Sequence, residues 1–266
     1  MTNRIDVERG RYWDYGPVVV KGCTKVSPGC LNCWSLPMTR RYQKGQGFVE
    51  GDSWTGKIET NGQRLLKVCQ DKTPRVISLW NDLFHPDVSD RFLDGIWSLI
   101  SKTPQHTFLI LTKRPERMKW FESEIGVFNY GVLPNIYRGL TICIQPEVRD
   151  KLSVFLQIQG KKFLSIEPML SDISLRWQTV SKEWYLKKME EGGVNEYDGL
   201  REIDAVILGA ETGPGARPIR LEWIRKIRNE CEQAGVPFFL KHISKKEGRV
   251  REMVFVVLIV ESSHQK

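Results

Sequence analysis

The feature that most constrains the fold of this chain is a series of short apolar runs separated by amphipathic segments. Seven such runs, rich in Val, Ile, Leu and Phe, occupy residues 18–20, 76–80, 107–112, 137–144, 163–166, 205–209 and 236–240. Their apolar residues are nearly continuous, which is typical of parallel strands that are covered on both faces. Repeated strand–helix units indicate the α/β class. We predict a full or partial TIM-like barrel of six or seven parallel strands with a helical insertion.

Two segments between these runs have the periodicity of amphipathic helices. The predicted buried faces are Phe92, Ile96, Leu99 and Ile100 within residues 87–100, and Ile224, Ile227 and Cys231 within residues 222–235. Gly235 is expected to cap the second helix at its carboxyl end.

The predicted domain organisation is one barrel domain over residues 1–242 followed by a divergent tail at residues 243–266. The stretch 171–200 is rich in Glu, Lys and Trp. We interpret it as a helical insertion between two strands, and a solvated spacer is the alternative.

The composition is that of a folded cytoplasmic protein. The chain has 266 residues, of which 41% are apolar, and this is sufficient for a large core. Neither a signal peptide nor an apolar run of membrane-spanning length is visible, so we expect no membrane association. In a reducing compartment the six cysteines are expected to be ligands, nucleophiles or buried side chains rather than disulfides.

The charge balance favours an anionic partner. The formal net charge is +8, from 40 basic and 32 acidic residues. Such an excess is typical of proteins that bind nucleic acids, nucleotides or phosphorylated molecules, although many basic proteins bind none of these.

Polar side chains follow almost every apolar run directly. They are Asn81, Asp82 and His85; Thr112, Lys113 and Arg114; Gln145; Glu167; Glu211; and Lys241. In a parallel barrel the carboxyl ends of all strands meet at one mouth, where active sites are built. We therefore expect these side chains to converge. His106 precedes its run and is expected at the opposite end of the barrel.

Three cysteines after the first apolar run indicate a metal centre. Cys23 and Cys30 are separated by six residues, and Cys30 and Cys33 by two. Three thiolates without an evident fourth ligand suit a 4Fe-4S cluster with one open iron position, because iron–sulfur clusters take cysteine ligands. Zinc is the alternative, with His85 or Cys69 as a fourth ligand, although neither has characteristic spacing.

The remaining cysteines and the glycine-rich loop carry weaker signals. Cys143 and Cys231 are expected to be simply buried. The loop at residues 209–218 offers Gly209 for a close backbone approach to a ligand and Glu211 for accepting from an amine or hydroxyl. It is neither a Walker loop nor a dinucleotide fingerprint.

Five motifs in order resemble those of a phage and bacterial family known for a three-Cys motif, also described as phage gene-product 37/68-like. They are GCTKVSPGCLNC at residues 22–33, DLFHPDV at 82–88, LTKRPERM at 111–118, LSIEPML at 164–170 and GAETGPGARP at 209–218. The organisation is also similar to that of radical S-adenosylmethionine enzymes, especially the spore photoproduct lyase group. In those enzymes the cysteine spacing is most often three and then two residues.

The resemblance implies that Cys23, Cys30 and Cys33 hold a 4Fe-4S cluster and that S-adenosylmethionine binds its open iron. On this hypothesis the expected catalytic residues are Lys113, Glu167 and His85. The expected cofactor-binding residues are Glu211, Asp82, Thr112 and Gly209. The expected partners are a nucleic acid or nucleotide substrate, an electron donor protein and a phage-encoded protein.

Two other functions remain open at this point. One is a zinc-stabilised nucleic-acid-binding phage protein without catalytic activity. The other is a metal-dependent hydrolase that uses Asp82, His85, Glu167 and Glu211 as ligands, but no pair of these residues has diagnostic spacing.

Overall fold

The computed structural model describes residues 11–176 and 198–243. The strands are β1 (Val20–Lys21), β2 (Val49–Glu50), β3 (Ser53–Trp54), β4 (Glu59–Thr60), β5 (Val76–Leu79), β6 (Thr107–Thr112), β7 (Ile136–Thr141), β8 (Lys161–Ile166), β9 (Ala205–Gly209) and β10 (Phe238–His242). The α-helices are α1 (Ser35–Tyr42), α2 (Gln63–Cys69), α3 (Asp90–Ser101), α4 (Pro115–Phe121), α5 (Val127–Tyr130), α6 (Gln145–Glu147), α7 (Ser153–Leu156) and α8 (Leu221–Ala234). Short 3-10 helices cover Pro28–Cys30 and Gly199–Glu202, and π-helical turns cover Glu122–Gly126 and Val148–Leu152.

Six of the strands form one parallel sheet in which neighbours in space are neighbours in sequence. The order is β10-β9-β8-β7-β6-β5, and every pairing is parallel. The sheet curls into a half-barrel flanked by helices, which confirms the predicted partial TIM-like architecture. Sequential parallel strands need crossover connections, and within the described residues helices supply them from β5 to β8 and from β9 to β10.

The amino-terminal segment extends the sheet beyond β5. Tyr15 bridges to Ile77 and Val18 to Trp80, both in parallel orientation. The chain therefore reaches β1 in the direction of the other strands, and β1 then pairs antiparallel with β4. The loop that follows β1 consequently leaves from the carboxyl end of the half-barrel.

Both faces of the sheet are buried, which explains the nearly continuous apolar runs. The concave face carries a small core built from alternate strand positions: Val76, Leu109, Tyr137, Phe163, Ala205, Ile207 and Phe239, together with Tyr12. The residues between them face the larger core under the helices. The edge of the Tyr12 ring lies against Phe239 of β10, at 5.9 Å between ring centroids. The amino-terminal segment therefore spans part of the open side of the half-barrel.

The predicted helices form, with one difference in the buried face. In α8 the buried residues are Ile224, Ile227 and Cys231, and Gly235 caps the helix in the left-handed conformation at φ 72°, as expected. In α3 the buried residues are Leu93, Ile96, Trp97 and Ile100. Phe92 and Leu99, which were predicted to belong to this face, are only partly buried at its margins.

A buried ion pair fixes the π-helical turn that follows α4. Arg138 of β7 is fully buried, and its Nε donates to Glu122 Oε1 at 2.6 Å. Removing one partner of such an ion pair would strongly destabilise the protein, because the remaining charge would be buried alone.

The predicted insertion at residues 171–200 lies largely outside the described residues, and so does the tail beyond residue 243. Across the two described segments, no helix has both the length and the apolar character needed to span a membrane.

Candidate metal centre

The cysteine-bearing loop lies across the carboxyl end of the half-barrel, and its fold is locally determined. Ser27 caps the 3-10 turn Pro28–Cys30 by accepting from the Gly29 amide at 3.2 Å. Proline at the first position of this turn has the required backbone angle and needs no amide donor. The turn brings Cys30 inward, where it is buried, while Cys23 and Cys33 are half-buried.

The three thiols influence one another electrostatically. Burial raises the pKa of Cys23 to about 11; Asp82, Cys33 and Cys30 act in the same direction, and Arg114 opposes them. Burial also raises the pKa of Cys33, opposed by the Ser35 amide and by Lys113. Groups that influence one another in this way share a poorly solvated region. The three predicted ligands therefore lie in one region of the mouth.

Lys113 is a positively charged side chain close to the thiols. Burial disfavours its charged form, but the negative charge of Cys143, Cys30, Cys33 and Asp82 outweighs burial and raises its pKa. Within the described part of the chain, its ammonium group makes no hydrogen bond or ion pair. A cation placed beside thiols stabilises the thiolate form, which is the form that binds metals.

Cys143 is a fourth thiol at the same mouth. It lies just beyond the end of β7 and is buried, as predicted. The Ser27 hydroxyl donates to its Sγ at 3.8 Å. A Cβ atom added at Gly29 would lie only 2.3 Å from this sulfur, so the cysteine loop passes directly over it. We did not predict this position, because the apolar run around Cys143 resembles ordinary core.

Asn81 holds both ends of the cysteine loop. Its Nδ2 donates to the Val20 carbonyl at 2.6 Å, and its Oδ1 accepts from Ser35 Oγ at 2.9 Å. Val20 precedes the three cysteines and Ser35 follows them. Asn81 has a positive φ of 64°, which asparagine tolerates better than most residues.

Asp82 is the centre of a polar network beneath the loop. Its carboxylate accepts from Thr112 Oγ1 at 2.6 Å and from the amides of Phe84 and Lys113, and it pairs with the Arg114 guanidinium. Asp82 and Thr112 therefore interact with protein groups, and their predicted contact with a cofactor would be in addition to these bonds.

The same network continues to His85 through the hydroxyl of Thr24, the residue after Cys23. Arg114 Nη2 donates to Thr24 Oγ1 at 2.9 Å, and this hydroxyl lies 2.9 Å from His85 Nε2. His85 is buried, and burial lowers its pKa, with Arg114 acting in the same direction. His85 is thus a neutral, hydrogen-bonded side chain near the first cysteine.

Glu211 attaches the glycine-rich loop to the cysteine loop. Its carboxylate accepts from the Arg217 guanidinium and from Arg217 N at 2.8 Å, and Asn32 Nδ2 donates to it at 3.0 Å. Burial opposes its ionisation, but the bonds from Arg217 and Asn32 hold the pKa of Glu211 below its usual value. Asn32 lies between the second and third cysteines, so this bond fixes the centre of the CxxC segment.

Glu167 and Lys241 form a second polar pair at the mouth, contributed by β8 and β10. Lys241 Nζ donates to Glu167 Oε1 at 2.9 Å and to Oε2 at 3.1 Å, and it also lies 5.6 Å from the centre of the Trp13 ring. Gly209 makes room for this pair, because a Cβ atom there would lie 3.2 Å from the Glu167 carboxylate. Both side chains are about one-fifth exposed to solvent.

The mouth therefore contains all ten predicted site residues, but with different surroundings. Thiols and Lys113 occupy one part, and Glu167 with Lys241 occupies another. The donor chemistry fits an iron–sulfur cluster, since three soft thiol ligands share one region with a cation. Among the described residues, no group of three His, Cys, Asp or Glu side chains is arranged to hold a single metal ion.

The fourth zinc ligands considered from the sequence differ in position. Cys69 ends α2 and bonds with Thr103, near the amino-terminal end of β6, so it lies at the opposite end of the sheet from the three cysteines. His106 lies at that end too, as predicted. His85 is near Cys23, and Cys143 is near Cys30.

Fold and site together define an α/β half-barrel protein with a cluster of thiols at its carboxyl-terminal mouth. The chain belongs to the family described as "Protein of unknown function (DUF5131)", which matches residues 12–254. The comparison with curated proteins found no match, and neither did the comparison with solved structures.

Proposed function

We propose that this protein is a cytoplasmic iron–sulfur enzyme of the radical S-adenosylmethionine type that acts on a nucleic acid or nucleotide. The supporting observation is the position of the three thiols. Cys23, Cys30 and Cys33 lie on the loop that leaves the first strand at the carboxyl end of a parallel half-barrel, and this is the end where barrel enzymes place their catalytic groups.

In this proposal Cys23, Cys30 and Cys33 hold the 4Fe-4S cluster as thiolates. A cluster held there would supply one-electron reduction of S-adenosylmethionine, with the electron coming from a donor protein. Lys113 offsets the negative charge of the thiolates. Asn81, Asn32 and Ser27 fix the loop in advance, so ligand binding requires little reordering of the chain.

The other mouth residues divide into positioning groups and groups that face ligands. Asp82, Thr112 and Glu211 hold the loops through bonds to Arg114 and Arg217. Glu167 and Lys241 are a partly exposed pair of opposite charges at the mouth, and they suit the ammonium and carboxylate of an amino-acid moiety. His85 is neutral and buried, and in this proposal it lies beside the first ligand rather than at the reacting atoms.

Anaerobic reconstitution with iron and sulfide tests this function. The wild-type chain is expected to bind iron and sulfide in equal amounts and to cleave S-adenosylmethionine after reduction. The variant with Cys23, Cys30 and Cys33 replaced by Ala is expected to do neither. The matched control replaces Cys69 and Cys231, which lie away from the mouth, and it is expected to retain the cluster. A triple variant that retains the cluster, or a wild type that forms none, contradicts the proposal.

The position of Cys143 supports a second candidate function, a zinc-stabilised nucleic-acid-binding protein. Four thiolates close a structural zinc site, and Cys143 is a fourth thiol under the loop. In this case the purified protein contains stoichiometric zinc, and Cys143→Ala loses the metal and much of its stability. An iron–sulfur cluster held by the other three cysteines would survive that substitution.

A further inference from the structure

The segment that carries the cysteines and α1 is uniformly basic. From residue 15 to residue 49 the sequence contains no Asp or Glu, whereas it contains Lys21, Lys25, Arg40, Arg41 and Lys44. A local excess of this kind is larger than the average for the chain and creates a positive surface next to the mouth. An anionic partner is the complement of this surface.

One face of α1 also exposes large apolar side chains. Trp34, Met38 and Tyr42 follow one another at intervals of four residues, which places them on one side of the helix. Their exposed fractions are 52%, 40% and 65%. Leu36 and Thr39, on the other side, are buried. We call the surface formed by Trp34, Met38 and Tyr42, with Arg41 and Lys44 beside them, the α1 face.

The two aromatic rings of the α1 face are held in place. The Trp34 ring meets Trp80, at the end of β5, edge to face at 5.2 Å between centroids. The Arg41 guanidinium lies 5.4 Å from the centre of the Tyr42 ring. Rings that are already ordered lose little entropy when a flat ligand stacks on them. Trp34 also directly follows Cys33, so the α1 face begins at the candidate metal centre.

The cations of the α1 face are available to a ligand. Arg40 is engaged with Asp52. Within the described part of the chain, the exposed Lys44 side chain makes no ion pair or hydrogen bond, and Arg41 contacts only the Tyr42 ring. Exposed cations beside ordered aromatic rings form the combination by which proteins bind single-stranded nucleic acids: phosphates meet the cations, and bases stack on the rings.

We propose that the α1 face binds a single-stranded nucleic acid and leads it to the mouth of the half-barrel. Bases stack on Trp34 and Tyr42, while Arg41 and Lys44 contact phosphates. A duplex is not the ligand, because its bases are stacked inside and do not reach protruding rings. This inference deepens the proposed function by assigning its substrate class and the binding surface, and it rests on that function for the role of the mouth.

The test measures binding directly and needs no enzymatic activity. Fluorescein-labelled mixed-sequence DNA and RNA strands of about 12 nucleotides, within the site sizes of single-strand binders, are titrated with the full chain and followed by anisotropy. Trp34→Ala and Tyr42→Ala are each expected to weaken binding about 10-fold. Phe128→Ala, which truncates a side chain that is 86% exposed in α5, is the matched control and is expected to leave binding unchanged.

Salt dependence gives a second readout. Replacing Arg41 and Lys44 by Gln is expected to reduce the slope of log affinity against log salt by about 0.7 for each lost phosphate contact. The inference is overturned if neither strand binds, if the duplex binds equally well, or if the aromatic variants bind like Phe128→Ala. It is also overturned if these variants impair only electron transfer from an acidic donor protein.

The two proposals fail separately. The same titration with the triple Cys→Ala variant isolates the α1 face from the cluster. Binding that persists in this variant, combined with absence of a cluster in the wild type, would remove the enzymatic function and leave the α1 face standing.

Discussion

Gly29 and Cys143 are in closer contact than their distance in the sequence suggests. The loop backbone at Gly29 passes over the Cys143 sulfur, and no side chain fits between them. Gly29 has no positive φ, so it is the contact rather than the backbone angle that requires glycine here. The proximity of a fourth thiol to the loop depends on this single contact.

Gly29→Ala is therefore expected to lower the free energy of unfolding by about 1–3 kcal/mol, the usual cost of overpacking. The added Cβ would lie 2.3 Å from Cys143 Sγ and 3.3 Å from Pro168 Cδ. Urea unfolding measures the change. The double variant Gly29→Ala with Cys143→Ala lacks the sulfur. It should therefore lose less free energy of unfolding than the two single variants lose together.

Gly95→Ala is the matched control for this cycle. Gly95 lies in α3, and a Cβ atom there meets nothing within 4 Å. It is expected to stabilise the protein by about 0.5–1 kcal/mol, because Ala is the better helix former. If Gly29→Ala changed the free energy of unfolding in the same direction and by the same amount as Gly95→Ala, the close contact would be disproved.

Among the elements, β1 and α1 are the two that bracket the cysteine loop, and Asn81 connects them. The hydrogen bonds of the Asn81 side chain to Val20 and Ser35 explain how a two-residue strand and an eight-residue helix hold a loop in place. Neither element is long enough to be stable alone, since isolated helices of this length are marginal in water. The loop geometry therefore depends on contacts made at the end of β5.

Substitutions at Asn81 are expected to loosen the loop in two separable ways. Asn81→Gly loses the bonds to Val20 and Ser35 but keeps the backbone conformation at φ 64°. Asn81→Ala loses the same bonds and adds the cost of a left-handed backbone, about 1 kcal/mol. Both variants should alkylate at Cys23 and Cys33 faster than wild type. Equal stability of the two variants in urea would show that backbone strain is not involved.

The helices show where the sequence pattern alone predicts the buried face and where it does not. The face of α8 is buried as predicted because its apolar residues form a single stripe on an otherwise polar helix. In α3 the apolar residues form one broad stripe, and the packing of Trp97 against Phe84 and Phe121 decides which part of the stripe is most deeply buried. Periodicity alone does not locate the centre of such a broad stripe.

At the scale of the whole molecule, stability is expected to depend on pH through buried histidine. Burial lowers the pKa of His106 from the 6.5 of the unfolded chain. Below pH 6.5 the unfolded chain binds a proton that the folded protein excludes, so stability falls as the pH falls. This loss of stability is complete once the pH lies below the pKa of His106 in the folded protein. The lowered pKa values of Glu147 and Glu211 add a further loss below about pH 4.5.

His106→Gln tests this dependence, since it removes one titrating group far from the mouth. The free energy of unfolding, measured in urea at pH 7.5 and 5.5, should fall less in this variant than in wild type. The comparison uses the difference between the two pH values, so any general loss of stability cancels. Equal differences in the two proteins would contradict a burial effect at His106.

The sequence by itself determined the class of fold, because apolar runs of strand length that are covered on both faces leave few alternatives to a parallel sheet. It also determined which side chains meet at the mouth, since residues that follow parallel strands share one edge. The side chains whose position at the mouth follows from the sequence in this way include Cys23, Cys30, Cys33, Lys113 and Glu167.

Only the tertiary structure decided which of those side chains are already engaged and what lies beside them. Asp82 and Glu211 are bound to Arg114 and Arg217, and Cys143 lies under Gly29. Such contacts join residues far apart in the chain, so they depend on the curvature of the sheet and the course of two loops. No local spacing encodes them, because local patterns specify only the periodicity of an element and not its neighbours in space.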